Sequence, residues 1–170
     1  MRPAQVRPAQ RATAAIALLL ALALVWQGLN LFQRDLAFTA AETEVSFWGR
    51  GEYQPAERTR AATGRAVENL VAAAPAQPDY LSLAASYYAW RAWWAGEAAA
   101  ESAYNAQALA ARYAAQQSRP AYRQGWEALA DHVARSDGAQ QTPVLLALAQ
   151  QRLDALQPKT EQAQRPNSEQ

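Results

Sequence analysis

Cysteine is absent from this chain. That removes disulfides, a thiol nucleophile, a cysteine-based metal site and the modified cysteine of a lipoprotein. Histidine occurs once, at His132, so neither a two-histidine metal site nor an HExxH motif can be built. There is no GxSxG, no Gly-rich phosphate loop and no EF-hand loop. Valine and isoleucine are scarce, and no segment alternates apolar and polar residues as a half-buried strand would. What fills the chain is alanine, with glutamine, arginine, leucine and glutamate, a strongly helix-favouring mixture. The expectation is an all-α protein. Apolar residues make up 51% of it, too many for a chain disordered throughout.

The net charge of +1 hides a gradient. Arg2, Arg7 and Arg11 are the only charges among the first eleven residues, whereas Arg34–Gln157 holds 11 basic against 13 acidic residues. A slightly acidic domain with scattered charges does not make a nucleic-acid surface, so no nucleic-acid partner is expected.

Residues 12–32, ATAAIALLLALALVWQGLNLF, carry no charge over 21 positions. At about 1.5 Å per residue they span roughly 31 Å, the thickness of the hydrocarbon core. Arginines precede the run, and Arg34 with Asp35 closes it as a neutral pair. The positive-inside rule then predicts a cytoplasmic N-terminus (1–11), a transmembrane signal-anchor helix (12–32) and a domain across the membrane (35–157). A cleavable signal peptide is the rival reading. The strongest apolar core, Ala14–Trp26, has signal-peptide length, and Ala21-Leu22-Ala23 resembles a cleavage site. Either reading exports the domain.

Beyond the span, periodicity predicts helices punctuated by proline and glycine. Phe38, Ala41, Val45 and Trp48 share one face of a helix over 35–48 that can run on from the span and is ended by Gly49-Arg50-Gly51. Pro55 opens a second, with Thr63, Val67, Leu70 and Ala74 inward. The stretch Asp79–Gly96, DYLSLAASYYAWRAWWAG, organises the rest. Tyr80, Leu83, Tyr87, Trp90 and Trp94 make one helical face; Leu81, Ala84, Ala85, Tyr88 and Ala92 make a second. A helix apolar over that much of its girth belongs in the middle of a stack. Asp79 is the expected N-cap. An Ala-rich helix follows to about Gln117, with Ala99, Ala103, Ala106, Ala110 and Tyr113 inward. Pro120 opens another, with Tyr122, Trp126, Leu129 and Val133 on its stripe, ending near Asp137-Gly138. Thr142-Pro143 starts the last, which buries Leu146, Ala149, Leu153 and Leu156. The tail 158–170 has no periodicity and is expected to be disordered.

Pro55, Pro78, Pro120 and Pro143 are spaced by 23, 42 and 23 residues, with Gly96 near the middle of the long interval. Such spacing suits stacked helical hairpins. Ala66, Leu70, Ala73 and Pro78 resemble the second helix of a tetratricopeptide repeat. Tyr80, Leu83, Ala84 and Tyr87 resemble the first helix of the next. That resemblance implies a tetratricopeptide-like stack of about six antiparallel helices. The layout of anchor, EVSFWGRGEYQP stretch, helical domain and tail is similar to small membrane-anchored accessory proteins of bacterial exopolysaccharide synthesis, the VpsP type. This implies a periplasmic role in polysaccharide synthesis or export.

No catalytic constellation stands out. His132 reads as an exposed imidazole at a helix C-terminus, and Glu97 with Glu101 reads as first-turn acids. Glu42 and Glu44, two apart, point to different sides of a helix. No enzyme, cofactor or metal site is expected. The candidate site is aromatic: Tyr88, Arg91, Trp93 and Trp94, rings surplus to a core and a cation beside them. It fits a protein partner in the inner membrane or periplasm, and ring stacking would also suit a polysaccharide. A component of a secretion or pilus machine would share this layout.

Overall fold

A single helix, α1 (Pro8–Phe47), begins the fold and belongs to two environments. This computed structural model describes residues 8–135 and 142–156, so the expectations for residues 1–7, Asp137-Gly138 and 158–170 lie outside the described residues. The 40 residues of α1 make a rod of roughly 60 Å. Its Ala15–Phe47 portion is long and apolar enough to cross a membrane, and no part of its most apolar window is buried by the rest of the protein. Asn30 and Arg34 are half-buried, from Ala37 the same helix packs on the core, and Ala41 and Val45 are buried, as is Trp48 just past its end. The uncharged run and the following amphipathic stretch are therefore one uninterrupted element.

Five further helices follow among the described residues, and no strand: α2 (Glu57–Ala73), α3 (Pro78–Trp93), α4 (Ala98–Ser118), α5 (Arg123–Arg135) and α6 (Thr142–Ala155). Each packs on its neighbours in the chain, and α1 also reaches α3. One core joins α1, α2 and α3 through Val45, Trp48, Val67, Leu70, Leu83 and Tyr87. A second joins α4, α5 and α6 through Leu109, Trp126, Leu129, Val133 and Ala149. The α3–α4 pair, the most extensive helix contact, links them. Small residues are buried on both partners, Ala85 and Ala92 on α3 and Ala108 and Ala115 on α4, which lets the backbones approach closely. At one end of this pair Arg119 bridges to Asp79 at 2.8 Å. At the other, Arg91 donates to the Tyr104 hydroxyl at 2.8 Å. Close approach recurs where Gly64 lies under the Tyr87 ring and Gly125 under the Gln116 amide, since a Cβ at either would collide.

The expected inward faces of α1, α2, α3 and α6 match the buried and half-buried positions; α4 differs. Ala99, Ala103, Ala106 and Ala110 are exposed and Tyr113 is half-buried, while Ala108, Leu109, Ala115 and Gln116 are buried. Alanine covers nearly every face of this helix, so apolar period selects no single stripe, and contact with α3 and α5 chooses it. Tyr122 was placed on the α5 stripe but precedes the helix, exposed, donating its hydroxyl to Gln124 Oε1 at 2.9 Å. Asp79 is not the N-cap of α3: Gln77 holds that place and Pro78 starts the helix, leaving Asp79 free to pair with Arg119. Pro55 and Pro120 precede their helices by a short turn instead of opening them.

Candidate functional site

The end of α1 and the end of α3 meet in a knot of aromatic rings. Trp48 is buried, with its ring 5.0 Å from that of Trp94 and 6.0 Å from that of Tyr87. Trp90 stacks on Trp94 at 5.4 Å, and Tyr88 meets Tyr87 edge-on at the same distance. Offset and tilted ring pairs at such distances are the favourable arrangements of aromatic quadrupoles. The chain turns immediately beside the knot, at Gly49, whose φ of 71° suits glycine. A Cβ there would also run into the Trp90 ring. Glu44 fastens the turn, accepting from Trp48 Nε1 at 2.9 Å and from the Tyr53 hydroxyl at 2.6 Å. That hydrogen bond to a carboxylate holds the Tyr53 phenol above its ordinary pKa.

Two arginines border the knot. The Arg60 guanidinium lies 4.9 Å over the Trp94 ring and pairs with Glu57 at 2.7 Å. Arg91 lies 5.0 Å over the Tyr104 ring while bonding its hydroxyl. Between them opens a cleft of about 180 Å³, lined by Glu57, Arg60, Arg91, Trp94, Ala95 and Tyr104. That is smaller than the several hundred Å³ of an ordinary small-molecule site. Both cations already have partners within the protein. The arginines at its rim link α2 to α3 and α3 to α4.

The four residues expected to form a binding surface thus divide. Tyr88 and Trp94 are half-buried against the first core, and burial pushes the Tyr88 phenol pKa up. Arg91 is turned to Tyr104. Trp93 is separate from all of these, 78% exposed on the last turn of α3. The structure brings Trp94 and Arg91 to one cleft and leaves Trp93 alone outside it. Arg60, Glu57 and Tyr104 were not anticipated. Their sequence neighbourhoods are ordinary helix, and only packing between α2, α3 and α4 assembles them.

His132 is half-buried and not the exposed imidazole expected. It bonds the Asn105 backbone, and burial with the nearby Arg112 and Arg135 charges lowers its pKa. The Arg112 guanidinium is lowered likewise, by burial and by Arg135. Among the described residues no group of three His, Asp or Glu side chains is placed to hold a metal ion. Compared with protein families, curated proteins and solved structures, the chain matches none.

Proposed function

We propose that this protein is a non-enzymatic, membrane-anchored scaffold, with a tetratricopeptide-like stack of antiparallel helices held on the periplasmic side of a bacterial inner membrane. The observation that carries this is α1: one helix is bare and apolar along 15–29 and a core element from Ala37 to its end. A soluble domain has no use for such a rod, whereas an anchored one gains a stiff mount. The Asp79–Arg119 and Arg91–Tyr104 bonds, at opposite ends of the α3–α4 pair, support the antiparallel stack. The exposed Trp93 supports a protein partner, because a fully hydrated indole is a characteristic anchor for a partner's pocket. The partner would belong to an envelope assembly, of which exopolysaccharide synthesis or export is the one the layout resembles.

A photo-crosslinking residue at position 93, in the full chain in living cells, tests this reading. Capture of one discrete membrane or periplasmic protein is the expected result. Absence of any protein adduct, with the chain folded and exported, sinks the scaffold role. In that event the same indole would be tested for stacking on oligosaccharides, the second reading its exposure favours.

A further inference from the structure

The seam between α1 and α2 opens into a groove of about 490 Å³ at the level where the uncharged run ends. From α1 it is lined by Asn30, Gln33 and Arg34, from α2 by Arg65 and Asn69, over a floor that includes Ala66 and Leu70. Positions 30, 33 and 34 share one face of α1, and 65, 66 and 69 share one face of α2, so the lining follows from helical register. None of the lining residues is acidic. Among the described residues neither Arg34 nor Arg65 has an ion pair or hydrogen bond, whereas Arg60, Arg91, Arg119 and Arg123 are all engaged. Glu68, three residues along α2 from Arg65, is not among the residues that line the groove. Two guanidinium groups and three amides thus line one groove, with no carboxylate among the residues that line it.

Depth decides what meets them. Arg34 lies two residues past Phe32, the last of the uncharged run, which is about 3 Å along the helix axis. A leaflet's polar layer is about 5–8 Å thick, so the groove opens among lipid headgroups. The Phe38 and Tyr80 rings, 5.5 Å apart, set the start of α3 beside α1 one turn beyond Arg34, about 6 Å further along the axis. This end of the domain therefore faces the bilayer.

We propose that the groove holds the phosphodiester of an anionic phospholipid, its two arginines forking onto the phosphate oxygens and the amides onto the headgroup and ester carbonyls. Arginine matches the oxygens of a phosphate with paired donors, and a bond between two charged groups is stronger than its neutral equivalent. The small apolar floor continues into the bare face of α1, along which the acyl chains lie. The lipid then acts as a wedge between anchor and domain, fixing the tilt of the domain on the membrane. This rests on α1 being inserted in a bilayer.

The full-length protein is reconstituted into nanodiscs of equal parts phosphatidylglycerol and phosphatidylcholine, released in mild detergent, and the retained lipid is read by native mass spectrometry. One phosphatidylglycerol per chain is expected, in about ten-fold preference to phosphatidylcholine, which has the same phosphodiester but a trimethylammonium group that the two arginines repel. Arg34→Gln with Arg65→Gln should erase that preference, with circular dichroism unchanged. Arg65→Lys keeps the charge without the fork and should lose about half of it. Arg50→Gln, in the turn after α1 and away from the groove, should lose none. Equal retention of the two lipids, or undiminished preference in the double variant, overturns the site. Displacement of the lipid by millimolar inorganic phosphate would assign the groove to a free anion and overturn the lipid. Alkaline carbonate extraction separates the premise: a chain released from membranes refutes insertion, and a chain retained without lipid preference refutes the groove alone.

Discussion

His132 sits where α5 meets α4, with Arg112 and Arg135 near enough to oppose its protonation. An imidazole whose folded pKa lies below the unfolded value of about 6.5 favours folding in its neutral form. Its contribution is complete above about pH 6.5 and is lost as pH falls from there through the folded value. His132→Gln removes the titration, so its melting temperature should fall less than that of the unaltered protein between pH 7.5 and 4.5. Parallel curves would show that His132 has no part in the acid response. The same residue shows a limit of sequence reading. A helix-terminal histidine was legible, whereas the arginine of α4 that covers it, twenty positions earlier, was not. Gly49 is the converse case, since its role in stopping a helix was visible and its clearance under Trp90 was not.

Among the elements, α4 is the one whose face was misassigned, and it offers a direct comparison. Ala108 is wholly buried and Ala106, two residues away, is exposed. Overpacking a tight helix seam costs about 1–3 kcal/mol, whereas exposed substitutions stay within about 0.5 kcal/mol. Ala108→Leu should therefore lower the denaturant midpoint clearly, and Ala106→Leu should leave it in place. If Ala106→Leu were the damaging change, the original stripe would be right and the α3–α4 seam wrong. The opposite holds for α1, α3 and α6. There, large residues at three- and four-residue steps marked positions that the structure buries or half-buries.

For the whole molecule, α1 makes anchor and core inseparable. A chain beginning at Arg34 retains Phe38, Ala41, Val45 and Trp48, all members or neighbours of the first core. It should fold in water with a cooperative melting transition. A chain beginning at Gln54 removes them, exposing Val67, Leu70 and Tyr87. Loss of a buried tryptophan alone costs about 3–5 kcal/mol, a large share of a small domain's stability. This shorter chain should melt without a sharp transition and bind a hydrophobic dye. Equal melting of the two would mean that α1 is only a tether, and the stiff mount would fall with it.

Composition and period by themselves determined that the chain is helical, where its helices break, that its first apolar run is long enough to span a membrane, and which faces of the helices bearing large residues are buried. These are local properties, dictated by backbone propensity and by the step between apolar side chains. Tertiary structure alone decided the rest. It chose the buried side of the alanine-rich α4, left Trp93 in solvent while half-burying its neighbour Trp94, and brought Arg34 and Arg65 to the same groove. Each depends on which neighbour a helix meets, and a neighbour distant in sequence leaves no trace in the local pattern.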